Sequence, residues 1–194
     1  MPCVIKNKRR KEREHIKRAF TTLAAVLTIA VLAAACAGPE EAAPAEMPED
    51  FQFSLVWNTY GVSSYNSETG ELVKTSHATH PEDYVTELIL DDAARQAAWE
   101  AISALDLADY PAEYDPNPGV MSTPSMTLVL TVMQNGTEQE IRCEDIAQCY
   151  DAENNYTSKD KKGQAFMTAC HTLIRLITAA PEWQALPEPE FLYE

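Results

Sequence analysis

The side chains of this 194-residue chain that could do chemistry are five cysteines, four histidines and a scatter of serines. Cys36 stands at a seam, with an apolar run before it and an acidic, proline-rich segment after it, and a thiol there can be acylated. Cys143, Cys149 and Cys170 lie far downstream, and three thiols cannot all pair within one chain. The gap from Cys143 to Cys149 is wider than a zinc knuckle's. Cys143 and Cys170 both fall on apolar faces, so they are expected either as buried thiols filling core space or as a disulfide.

His77 and His80 sit in TSHATHPED beside Glu82 and Asp83. Two imidazoles three residues apart could bind a metal on a helix, but Pro81 opposes helix there, and an exposed loop is the expected state. The same pair with a neighbouring carboxylate is the nearest the chain comes to a hydrolase site. His171 follows Cys170, and adjacent helical residues point about 100° apart, so the two cannot form a nucleophile pair. Ser63, Ser64, Ser122 and Ser125 lack the G-x-S-x-G and S-x-x-K contexts that activate a hydroxyl. DAENNYTSKD from Asp151 offers oxygen ligands at alternate positions, but Tyr156 stands where a calcium loop needs glycine, and the twelfth position is Lys162. No catalytic residue, metal or cofactor is therefore expected, and an enzyme is the lesser reading.

The elements that place these residues begin with a leader. Residues 1 to 18 carry eight basic side chains against Glu12 and Glu14, which keeps that end on the cytoplasmic side. Ala19 to Ala35 is uncharged and mostly apolar, at the short edge of the ~20 residues a bilayer span needs. The stretch LAAAC resembles the lipobox of bacterial lipoproteins, with Ala33 where that family usually has leucine and Leu32 one place earlier. The resemblance implies diacylglyceryl transfer to Cys36, cleavage before it, and a new N-terminus at Cys36. Two acyl chains hold a protein to a membrane where one gives reversible binding. A retained signal anchor and ordinary cleavage after the alanines are the competing readings.

Without residues 1 to 35 the chain has 7 basic against 28 acidic residues, a net of −21. Such a surface repels nucleic acid and anionic lipid, so no nucleic-acid partner is expected. Residues 36–50 hold prolines and acids with no basic residue and read as a tether. Residues 51–194 suffice for one domain.

In that domain FQFSLVW alternates, putting Phe51, Phe53, Leu55 and Trp57 on one side of a strand, and a hairpin segment turning near Gly70 follows. Asp83 to Leu90 is a third strand candidate. Asp91 and Asp92 open a helix to about Leu107, with Ala98, Trp99, Ile102 and Leu105 on its inner face. Residues 109–125 form a long proline-rich loop, a place where function often resides. Asn135-Gly136 demands a two-residue turn that pairs Gln134 with Thr137, Val132 with Gln139, Leu130 with Ile141 and Leu128 with Cys143. The last helix starts near Thr157, buries Phe166, Cys170, Leu173, Ile174 and Ile177, and stops at Pro181. The expected fold is α+β: an antiparallel sheet of about five strands with two helices on one face, in the order β-β-β-α-β-β-α.

YGVSSYNSETGELVKT, DYPAEYDP, PSMTLVLTV, IRCEDIA, KKGQ and PEWQALP resemble stretches of hypothetical lipoproteins from anaerobic Gram-positive bacteria. That resemblance supports export and the domain boundaries and implies no catalytic residue. The expectation is a lipoprotein held at the extracytoplasmic face of the cell membrane by its lipid. Its domain would bind a protein or small ligand; the alternative is an envelope hydrolase around His77 and His80. Turn-edge aromatics such as Trp57, Tyr110, Tyr114, Tyr150, Tyr156 and Trp183 could serve an interface or border the core.

Overall fold

A computed structural model describes residues 46–58, 63–76 and 84–189. Four strands come first: β1 (Gln52–Asn58), β2 (Ser63–Asn66), β3 (Glu71–Lys74) and β4 (Tyr84–Glu87). Helix α1 (Asp92–Ser103) and a single 3-10 turn (Leu107–Asp109) lead to the hairpin β5 (Met126–Gln134) and β6 (Thr137–Ile146). Helix α2 (Lys161–Thr178) and the short α3 (Pro181–Ala185) complete the described chain. The six strands form one sheet in the order β4-β3-β2-β1-β5-β6, antiparallel at every pairing.

The α+β class and the antiparallel sheet are as the patterning requires, with six strands rather than about five. The extra strand comes from Ser63–Lys74, which folds as two arms of four residues about a turn at Gly70, whose φ is +74°. The Asn66 carboxamide oxygen accepts from the backbone N–H groups of Glu68 and Thr69 and holds that turn.

Along β1 every second residue is buried, so Phe53, Leu55 and Trp57 face the core and Ser54 and Val56 face outward. The β5–β6 register matches the turn argument at all four expected pairs. Asn135 and Gly136 take φ of 51° and 71°, as the two-residue turn demands. The register slips between Met126 and Leu128, where the partner strand carries Asp145 at φ 53°. Asp50, just before β1, accepts from the N–H groups of Asn135 (2.9 Å) and Gly136 (2.6 Å) and pins the hairpin tip to the start of the sheet.

Asp91 caps α1 by accepting from the Ala94 N–H, and Ala98, Trp99 and Ile102 turn inward. The α2 cap is Asp160 and not Thr157: its carboxylate accepts from the Gly163 N–H at 2.8 Å. The Thr157 N–H donates instead to the Cys149 carbonyl, closing a loop. Phe166, Cys170, Leu173 and Ile177 are fully buried against the sheet and α1, and Pro181 begins α3 instead of extending α2. Each such buried side chain contributes roughly 1.5–3 kcal/mol, so the α2 stripe is a principal source of stability.

The 109–125 loop is docked along its first part. Arg142 of β6 donates its backbone N–H to Ala112 O and accepts from the Tyr114 N–H, so residues 112–114 cover the outer edge of the sheet. Tyr110, Tyr114 and Phe166 pack ring to ring with centroids 5.2–5.6 Å apart, and the Lys162 ammonium lies 4.7 Å from the Tyr110 centroid.

Candidate functional site

The chain between β6 and α2 folds back on itself. Tyr150 and Tyr156 pair as an antiparallel bridge, the Thr157 N–H reaches Cys149 O at 2.8 Å, and the Asp151 N–H reaches Asn155 O at 3.0 Å. Inside this loop the Asp151 carboxylate accepts from the N–H groups of Glu153 (3.0 Å) and Asn155 (2.8 Å) and from the Asn155 carboxamide. Those donors stabilise the charged form, holding Asp151 below the usual carboxylate value and fixing its direction. Asn154, at φ 65°, supplies the reversal.

This loop faces the outer side of α2. Because the inner stripe is committed to the core, Gln164, Thr168, His171, Thr172 and Arg175 recur at helical spacing on the outside. Gln164 clasps the two together: its Nε2 donates to Tyr156 O at 3.0 Å and its Oε1 accepts from the Ser158 N–H at 2.9 Å. Between loop and helix lies a groove of about 340 Å³, walled by Asp151, Tyr156, His171 and Arg175. The Tyr156 ring centroid stands 4.9 Å from the His171 ring and 5.1 Å from the Tyr150 ring.

Burial lowers the His171 pKa, the neighbouring Arg175 guanidinium lowers it further, and Asp151 opposes them. The imidazole is neutral at pH 7 and offers one donor and one acceptor. Burial, and then the adjacent Tyr150 phenol, raise the Tyr156 phenol well above its ordinary value, so it stays protonated. Arg175 is exposed and makes no ion pair among the described residues. The groove therefore presents a fixed carboxylate, an uncommitted guanidinium, a neutral imidazole and an aromatic wall.

The chemistry of such a set is complementary to polar ligands of mixed charge. Among the described residues the hydroxyl next to His171, Thr172 Oγ1, is committed as a donor to Thr168 O at 2.9 Å. A second concavity, about 310 Å³, is lined by Glu113, Tyr114, Asp115, Arg142 and Glu144. There Arg142, the basic residue of the lining, is already held by Glu140 (2.9 Å) and Glu144 (3.2 Å), which leaves a surplus of acids among the described lining residues.

Cys143 and Cys170 are both fully buried free thiols, each raised first by burial, Cys143 to about 12. Both belong to the one buried core cluster. Cys149, half-buried, is also a free thiol. His77, His80 and Cys36 lie outside the described residues. His171, Tyr150 and Tyr156 are each candidates by residue type, but nothing local in DAENNYTSKD brings Asp151 and Tyr156 together with His171 and Arg175. The visible signal was the polar repeat Gln164, Thr168, His171, Arg175 beside that aromatic loop.

No protein-family model matches the chain, and no curated protein matches it. Among the described residues no helix is long and apolar enough to cross a membrane. No group of three or more His, Cys, Asp or Glu among them is placed to hold a metal ion.

Proposed function

We propose that this chain is an exported lipoprotein, held by acylated Cys36 at the outer face of the cell membrane. Its domain is a binding module that takes a small polar ligand of mixed charge in the groove between the 149–157 loop and α2. The observation that carries the binding reading is an oriented Asp151 carboxylate set in one groove with an Arg175 guanidinium that makes no ion pair among the described residues, across a tyrosine and a neutral histidine. The basic leader, the apolar run and the small residues before Cys36 support the anchor. The acidic segment ahead of Met47, which itself packs on the domain core, would carry the domain off the headgroups, since ten residues reach at most ~33 Å.

Two experiments test the two halves separately. Cells expressing the chain are fed an alkyne-bearing fatty acid; label is expected on the wild-type protein and absent from Cys36→Ser, and an unlabelled wild-type protein refutes the anchor. For the groove, the His171 ring signals are followed by NMR during titration with a panel of dipeptides and disaccharides. At least one saturable shift is expected, weakened tenfold or more by Arg175→Ala. A panel that leaves His171 unmoved refutes the groove as the binding site.

A further inference from the structure

Lys74 is the only basic side chain in the interior among the described residues, at 3 % exposure. It ends β3 on the inward face, two residues after the wholly buried Leu72. Its chain neighbours Thr75 and Ser76 are also buried, and Ser63 Oγ of β2 accepts from the Thr75 N–H at 3.2 Å. The ammonium lies 5.0 Å from the centroid of Trp183, whose ring packs on Trp57 at 5.6 Å.

An ammonium withdrawn from water needs a compensating charge, because the desolvation penalty amounts to several kcal/mol when it is left alone. Here the compensating charge is the Glu188 carboxylate, with Nζ to Oε1 at 3.0 Å. The pair is asymmetric: the lysine side chain is 4 % exposed and the glutamate 87 %. Lys74 has given up its hydration while Glu188 has kept nearly all of its own. A carboxylate that stays in water loses little on leaving, provided another replaces it.

The segment carrying Glu188 is lightly held. It follows α3 as an irregular stretch, Leu186–Pro189, whose backbone makes one hydrogen bond among the described residues, from the Leu186 N–H to Trp183 O at 3.2 Å. Trp183 belongs to α3, so the aromatic wall does not depend on the tail for its position. Acidic residues outnumber basic ones among the described residues, so a buried cation under an exchangeable carboxylate stands out as a point that attracts anions.

We infer that Lys74 and the Trp57–Trp183 wall form a carboxylate-binding site, that Glu188 occupies it as an internal ligand, and that an extended acidic peptide takes its place. The tail itself shows the class of ligand: a glutamate flanked by prolines, whose stiff backbone costs little further entropy to order. The site is separate from the His171 groove and does not rest on that groove's function.

The test uses the intact chain, Glu188→Gln, and a chain ending at Leu186, with the probe peptide acetyl-LPEPE-amide and its glutamine counterpart acetyl-LPQPE-amide. Tryptophan fluorescence reports binding, and calorimetry measures it. The chain ending at Leu186 and Glu188→Gln are expected to bind LPEPE saturably, at least tenfold more tightly than the intact chain does. LPQPE should bind at least tenfold more weakly than LPEPE to both. Because that comparison changes the peptide alone, it holds whatever a Lys74 substitution does to folding. Lys74→Gln placed in the Glu188→Gln background, with its fold checked by circular dichroism, should abolish the response. Failure of both tail variants to bind LPEPE, or equal binding of LPQPE, overturns the proposal.

Discussion

Gly163 sits in the first turn of α2, where the helix lands on the chain that enters it. A Cβ built there lies 2.6 Å from the Pro116 carbonyl oxygen and overlaps the Ser158 hydroxyl. That hydroxyl itself donates to Pro116 O at 2.6 Å, so there is no slack on either side. Gly163→Ala sets two effects in opposition. Helix propensity favours alanine by at most ~1 kcal/mol, and by less in a first turn. Overpacking costs roughly 1–3 kcal/mol, and displacing the Ser158 hydrogen bond adds about 0.5–1.5 kcal/mol. The clash wins, and a net loss of about 1–3 kcal/mol is expected, which for a chain of this size lowers the melting temperature by roughly 3–10 °C. Urea unfolding followed by circular dichroism measures it. In a Ser158→Ala background the loss should shrink without vanishing, because the Pro116 carbonyl stays in place. Since Ser158 also holds Gln164, which clasps the Tyr156 carbonyl, the variant should shift the His171 ring signals as well. Equal or greater stability of Gly163→Ala refutes the reasoning.

In the Cys36→Ser chain a thiol reagent should modify Cys149 under native conditions and reach Cys143 and Cys170 only on unfolding, which mass mapping of the modified peptides checks. Acid should weaken the fold through His171. Its folded pKa lies below the unfolded value of 6.5, so its contribution is present above that value and declines as pH falls through 6.5 toward the folded pKa. His171→Gln should flatten the unfolding free energy over that window. Asp50→Asn should destabilise the β5–β6 turn, and the difference from wild type should shrink as pH falls below 3.8 toward the lowered folded value of the carboxylate; hydrogen exchange at Asn135 and Gly136 reads this. Leu130→Ala, at a wholly buried position between β1 and β6, should cost about 2–5 kcal/mol in urea unfolding.

What could be read from the sequence divides along the range of the interactions. The β5–β6 register was legible to the residue, because Asn135-Gly136 admits few conformations and the side-chain alternation then leaves no freedom. The inner face of α2 was legible for the same local reason. The hairpin arms Ser63–Asn66 and Glu71–Lys74 are four residues each, too short for a period to declare itself, and so the strand count fell short by one. Thr157 and Asp160 are both competent caps, and what separates them is a contact across the loop: the Thr157 N–H goes to Cys149 O. The same loop decides the site. Phe166, Cys170, Leu173 and Ile177 fix one side of α2 on the core, and that alone sends Gln164, Thr168, His171 and Arg175 outward. Nothing local says that Asp151 and Tyr156 will stand opposite them. That follows from Asn154 taking a positive φ and from Gln164 bonding to both Tyr156 and Ser158. The orientation of the helix was thus written in one stretch of sequence and the wall of the groove in another. The reach of one glutamine side chain joins the two, so shortening it to Gln164→Asn should loosen the groove while leaving the α2 core stripe intact. Faster hydrogen exchange in residues 149–157, with unchanged exchange at Leu173 and Ile177, is the expected signature, and equal protection in the loop would place the cause elsewhere.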